Sequence, residues 1–405
     1  MRKLVVQIIL IAVIFNVNQV FAQKESRFYT ETNQLGIVKN LVDDYVAKGN
    51  DKKDDSKKLQ RAINELSAMK NGGRIIVPAG TYYFSMINLK SNVHIEIEND
   101  VIIHPAPRTD NKNYAVFLMG DNKTIVKNVS VRGLGGNFTV DLRNLKNKNV
   151  TVFRLNNSDN FLLANFDVKD EMTKFSSIAF GYTDYKGGYT KSRNGVVKNA
   201  STDNSHYGYG LVQAQAGHNI LFKNLSGEGG VTLRLETGNN KMNKLQVGGI
   251  SDIFAKNIAC ENGNSAVMIS PHGIQNGHVE VDGVKSVNCG FAVRIGNGYV
   301  KKDQIKLGVK PGSYASTSKV QNVTATFGET AQVKSKHFKY MPVDLRKKIQ
   351  KTDDPKVHIA PSIAAVVNDA AGEGKGKYKI EVKNVKAIGF TSQPKVVITG
   401  EDAIK

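Results

Sequence analysis

Tryptophan is absent from this 405-residue chain, so stacking against a ring-shaped ligand falls to 14 tyrosines and 17 phenylalanines. Cysteine occurs only at Cys260 and Cys289, which excludes a disulfide-stapled small domain and a cysteine-rich zinc site. Acid is scarce: 36 Asp and Glu face 56 Lys and Arg, a formal net charge of +20. Beyond the first 22 residues no stretch is long and apolar enough to cross a bilayer.

What the N-terminus has is a leader. Met1-Arg2-Lys3 precedes an apolar run from Leu4 to Phe15, and Val20-Phe21-Ala22 ends in a small residue. This is the pattern of a secretory signal peptide over residues 1–22, cut after Ala22. No cysteine stands at the cut to carry a lipid. The mature chain is expected to be secreted, extracellular or periplasmic, and monomeric. Removing Arg2 and Lys3 leaves the positive surplus largely intact. No compact nucleic-acid module stands out, so nucleic acid is not the expected partner. An exported anionic polysaccharide suits the charge better, with a merely solubilising surface as the plain alternative.

The most informative stretch is Val231-Thr232-Leu233-Arg234-Leu235-Glu236-Thr237-Gly238. Strict alternation puts Val231, Leu233 and Leu235 on one face, and Thr232, Arg234, Glu236 and Gly238 on the other. Three more segments alternate in the same way: Leu211–Gln215, with Gln213 and Gln215 outward; Val267–His272, with Ser270 and His272 outward; and Phe291–Ile295, with Arg294 outward. Aligned so, Gln213, Glu236, His272 and Arg294 are 23, 36 and 22 residues apart, as on successive coils of a solenoid. The expectation is one outward row with neighbours about 4.8 Å apart. A repeated turn unit supports the solenoid. It contains Asn128, Asn165, Asn199, Asn224, Asn257, Asn322 and Asn384, and the asparagines are read as backbone-bonding turn residues rather than catalysts.

Asp54-Asp55-Ser56 followed by Leu59, Ile63, Leu66 and Met69 predicts a capping helix, ended by Asn71-Gly72-Gly73. With the strand and Pro78-Ala79-Gly80-Thr81-Tyr82 that follow, this resembles the entrance to a right-handed parallel β-helix of the pectate-lyase superfamily. The expected organisation is all-β: a β-helix with N-terminal cap over 23–295, an inserted basic lid subdomain over 296–361 and C-terminal coils over 362–405. Lys301, Lys302, Lys306 and Lys310, and a short basic helix over 341–350, mark the lid. A solvated basic loop is the alternative.

The cap, Gln213, Arg234 with Glu236, His272 in Ser270-Pro271-His272-Gly273, Arg294, Tyr340–Val343 and Pro361–Ala365 together resemble the iota-carrageenases, glycoside hydrolase family 82. The resemblance covers most of the mature chain. It implies hydrolysis, with inversion, of β-1,4 bonds in iota-carrageenan, a sulfated galactan. Glu236 would be the general acid, and Gln213 and His272 required site residues. No cofactor is implied for the chemistry; a structural calcium is, with no legible ligand set. Arg234 and Arg294 suit sulfate, because a planar guanidinium can hold two of its oxygens. Gln215 and Tyr209 are further candidates for substrate contact, with Tyr207 beside them.

The family carries Asp two residues after the acid, and here that position is Gly238. Residues i and i+2 on a strand face are about 6.6 Å apart, at the low end of the carboxyl separation suited to inversion. Asp184, Glu261 or His272 could then place the water. Three rival readings stand beside the hydrolase. A calcium-dependent lyase lacks its acidic cluster, a polygalacturonase-type hydrolase lacks its Asn-Thr-Asp and Gly-His-Gly signatures, and a non-catalytic binder of sulfated glycans is kept alive by Gly238.

Overall fold

The computed structural model describes residues 24–32 and 36–404; the leader expected over 1–22 lies outside them. The chain winds as a parallel β-helix. One long sheet of fourteen strands forms one side and a ten-stranded sheet forms another. The ten-stranded sheet carries the site. It runs from Ile87–Asn88 through Tyr114–Met119, Val150–Leu155, Ile178–Phe180, Val212–Ala214, Val231–Glu236, Ser265–Ser270, Phe291–Ile295 and Val366–Asn368 to Val397–Thr399. Every step between neighbours in it is parallel.

Alternation fixes the core. Val212, Leu233, Val267, Val293 and Val366 pair in one inward column and none is exposed to solvent. Each such side chain contributes about 1.5–3 kcal/mol on burial. The expected cap is helix α1, Ser56–Ala68, whose Leu59, Ala62, Ile63 and Leu66 are fully buried against the first rungs. Asp54 accepts from the Ser56 backbone N–H at 2.8 Å to start it. Gly72, at φ +65°, follows it; a Cβ there would meet the Asn92 carbonyl oxygen at 1.8 Å, so no other residue fits.

The asparagines form ladders, but not the single series that their sequence similarity suggests. Asn165, Asn199, Asn224 and Asn257 sit in the left-handed region, each side-chain amide donating to the preceding one at 2.9–3.0 Å. Asn128 belongs to a second ladder with Asn92 and Asn160. The same local turn occurs at both ends of these strands, and only the winding decides which copies stack. Cys260 and Cys289 are buried free thiols; Cys289 beside Cys260, together with burial, pushes the Cys260 thiol well above its usual range.

Within 296–361, the strand Lys319–Thr326 is a rung of the fourteen-stranded sheet. Ala331–Val333, His358–Ala360 and Gln350–Lys351 form a separate antiparallel sheet. The helix expected over 341–350 is a single turn, Val343–Arg346, because Pro342 starts it and Gln350–Lys351 is already extended. This small sheet rests on the coils through a second apolar cluster that includes Phe291, Val333, Tyr340 and Met341. The side chain of Gln332 also accepts from the Gly230 N–H at 2.7 Å.

Replacing Asn199 with Ala should destabilise the protein by about 1–2 kcal/mol, because it removes two ladder bonds and forces a Cβ residue without a polar tip into φ +51°. Asn199→Gly should cost less than Asn199→Ala in thermal melting. Equal losses would mean that the backbone conformation is not the limiting term.

Candidate functional site

The ladder assigns each outward side chain to a rung. Gln213 pairs with Arg234, Arg234 with Met268, and Met268 with Arg294. Glu236 pairs with Ser270. The row expected through Gln213, Glu236, His272 and Arg294 is therefore corrected to Gln213, Arg234, Met268 and Arg294. A two-residue slip preserves in–out alternation, so periodicity cannot detect it. Thr232 is also not outward; it is fully buried and donates to the Ala259 carbonyl at 2.7 Å.

Glu236 and His272 nevertheless meet. His272 lies just past the Ser265–Ser270 strand at φ +48°, and its Nε2 stands 3.2 Å from Glu236 Oε1. Its carbonyl accepts from the N–H groups of Tyr299 at 2.9 Å and Gly312 at 2.7 Å, so the loop after Arg294 fixes the turn. The other carboxylate oxygen of Glu236 accepts from Arg234, whose guanidinium also donates to the Gly208 carbonyl and lies 5.7 Å from the Tyr209 ring centre. Burial alone would raise the Glu236 carboxyl, but Arg234 and His272 outweigh it and hold the group well below the usual carboxylate range.

These groups border a cavity of about 420 Å³ lined by Glu236, Ser270, His272, Arg294, Lys336 and Asp369, among others. Burial lowers Arg294 to about 10, with Glu236 opposing and Arg234 reinforcing the shift. Gln213, Gln215, Tyr209 and Arg234 line the adjoining cavity instead. Gln215 accepts from Asn239 at 3.3 Å. Tyr207 is buried beneath Lys334, whose Nζ lies 4.5 Å from its ring centre, and so has no free face for a sugar.

Sequence reasoning missed the groups that segment 331–361 and the coil after it bring to the site: Lys334, Lys336, His337, Tyr340 and Asp369. Burial first, then Arg294, Lys336 and Arg234, lower Lys334 to about 8. His337 is buried and its imidazole is held well below its usual range, so it is neutral. Tyr340 donates to Asp369. The signal available was the run Lys334, Lys336 and Lys339 just past a short strand, denser in charge than the flanking strands.

Two proposed water-activating carboxylates are excluded by position. Asp184 is exposed on the hairpin formed by Tyr182–Tyr185 and Gly188–Lys191, and Glu261 is exposed at the end of a strand in the other sheet. Neither lines the cavity. His272 contacts the acid itself, its Nε2 3.2 Å from Glu236 Oε1. Among the described residues no group of three or more His, Cys, Asp or Glu side chains gathers as a metal site.

Gly238 is buried at φ +97°. A Cβ there would lie 2.4 Å from Asn243 Oδ1 and 2.8 Å from His272 Cβ. Asn243, on helix α2 (Asn240–Leu245), accepts from the Gly273 N–H at 3.3 Å and so fills the space where a side chain at 238 would begin. Gly238→Asp should therefore destabilise the protein by about 1–3 kcal/mol, read by thermal melting. A variant as stable as the parent would show that Asn243 yields freely.

The family model described as rhamnogalacturonase A/epimerase, pectate lyase-like, matches residues 40–303. The iota-carrageenase of Alteromonas macleodii is 38% identical, with 91% of this chain and 87% of that protein covered. The iota-carrageenase of Zobellia galactanivorans is 36% identical, with 90% and 86% covered. The structure of an iota-carrageenase complexed to iota-carrageenan fragments superposes with a TM-score of 0.88 at 37% identity, over 93% of this chain and 94% of that one. A solved 1,3-α-1,4-β-D-galactose-4-sulfate-3,6-anhydro-D-galactose-2-sulfate 4 galactohydrolase gives 0.90 at 39% identity, over 94% of each. On these matches, and with the acid, imidazole and arginines gathered as described, the chain belongs to the iota-carrageenases, family 82 of the glycoside hydrolases.

Proposed function

We propose that this protein is an exported, endo-acting glycoside hydrolase that cleaves β-1,4 linkages of iota-carrageenan with inversion. One observation carries the reading: a half-buried carboxylate, Glu236, is held between a guanidinium and an imidazole at a cavity that Arg294, Lys336 and Lys339 also line. Segment 331–361 is a basic lid that encloses the sulfated chain.

Glu236 protonates the leaving oxygen. In the free enzyme Arg234 favours its ionised form. A sulfate ester bound to Arg234 draws that guanidinium away, and the entering sugar excludes water, so both changes raise the Glu236 pKa toward that of a working acid. His272, within hydrogen-bond reach, shares the proton. Gln213, one rung before Arg234, fixes sugar hydroxyls.

Water activation falls to Asp369, the other carboxylate on the cavity wall. Its N–H bonds the Ile295 carbonyl, which puts it on the Glu236 row three rungs on. The main chains are about 14 Å apart, and side chains reaching across the cavity shorten that toward the 6.5–9.5 Å or so of an inverting pair. Tyr340 orients Asp369 and keeps it an acceptor.

The test is release of reducing ends from iota-, kappa- and lambda-carrageenan. Activity is expected on the iota polymer, with Glu236→Gln and Asp369→Asn each reducing kcat by about 10²–10⁴-fold. No reducing ends from any polymer, with retention on an iota-carrageenan gel, would make the protein a binder; loss in Glu236→Gln alone would remove Asp369 from the chemistry.

Lys334 supplies a pH signature. It is charged below about 8 and neutral above, so KM for the sulfated polymer should rise as pH passes upward through about 8. Lys334→Arg, always charged, should flatten that rise.

A further inference from the structure

Beyond the catalytic cavity the same outward row continues toward the N-terminus: Arg234 is preceded by Gln213, Ala179 and Arg154 on successive rungs. Three rungs place Arg154 about 14 Å from Arg234. Arg154 is half-buried, and burial lowers its pKa. Among the described residues it makes a single long hydrogen bond, to the Tyr114 carbonyl at 3.5 Å, and no carboxylate pairs with it. Arg132 and Arg193, on nearby rungs of the other sheet, and Arg143, in the turn after Phe138–Asp141, are each matched by an acid at 2.5–2.8 Å. A desolvated guanidinium without a counter-ion costs free energy that an anion would recover.

The surroundings fit a glycan. Arg154 and Asn156 are shared by two adjoining cavities on the sheet face. One, of about 470 Å³, extends to Arg234, and the other, of about 510 Å³, extends to Gln60 and Asn64 on helix α1. The first contains no carboxylate and offers amides and the Phe175 and Tyr209 rings. The second holds Asp121, whose side chain already accepts from the N–H groups of Lys123 and Thr124 at 2.8 Å. Together they form a polar trough from the acid to the cap, with Arg154 midway.

We propose that Arg154 is a distal subsite for a sulfate ester on the same polysaccharide chain, so that bound substrate extends from Glu236 along the sheet to the capping helix. This rests on the hydrolase reading above and adds to it a length requirement: a chain must span three rungs beyond Arg234 to use the contact. Sulfate is the chemistry a planar guanidinium takes bidentately, and ring oxygens and hydroxyls suit the flanking amides.

The experiment compares kcat/KM on iota-carrageenan polymer with that on purified iota-carrageenan tetrasaccharide, for the parent, Arg154→Gln and Arg154→Lys. The polymer-to-tetrasaccharide ratio should fall about tenfold in Arg154→Gln, through KM rather than kcat, and recover in part in Arg154→Lys. The salt dependence of polymer KM should become shallower in Arg154→Gln. An unchanged ratio, or one lowered through kcat with no rescue by Lys, would overturn the subsite, since a merely structural role would affect both substrates alike. A parent inactive on every carrageenan would instead sink the hydrolase reading, and polymer binding measured on a carrageenan gel for the same variants would still test Arg154.

Discussion

The parallel backbone ladder is the constraint on which everything else depends. Each coil is held to the next by hydrogen bonds whose spacing is fixed, so a side chain's height along the axis is decided by how many rungs precede it. Arg154, Gln213, Arg234 and Arg294 share one outward row because the ladder numbers them so. Loop lengths between strands vary freely without disturbing that order. A linear, repeating polyanion is thereby met by a linear protein surface with its own fixed repeat.

The second governing factor is charge imbalance at the site. Two arginines, the lysines of the 331–361 segment and a neutral buried histidine surround two carboxylates. Burial first, and then neighbouring cations, lower Arg294 and Lys334. Glu236 is deeply ionised because Arg234 and His272 outweigh its burial. The free site is thus poised electrically for an anionic ligand.

Much of the architecture was legible because alternation, turn asparagines and an amphipathic cap are local signals. Val231 to Glu236, Leu59 to Leu66 and the αL asparagines each announce their structure within a few residues. What was not legible was relative height. Alignment by chemical likeness put Glu236 beside Gln213, whereas the ladder puts Arg234 there. The meeting of Glu236 with His272 was anticipated, but it comes from a left-handed turn rather than from shared strand register. Asp369 was invisible for a different reason: it reaches the cavity from more than 90 residues beyond Glu236, and no local periodicity marks an arrival of that kind.

Lys334 over Tyr207 has a consequence for how the small sheet stays in place. That sheet is seated by an apolar cluster and a few hydrogen bonds, while its cations face Arg234 and Arg294 across the cavity. Repulsion therefore works against the seat whenever the cavity holds only water. A polyanion threading between the two surfaces acts as mortar, attracting both and reversing the sign of the force between them. On the proposed reading of this segment as a lid, enclosure and occupancy are thermodynamically linked: the better a chain fills the trough, the more tightly its cover is held.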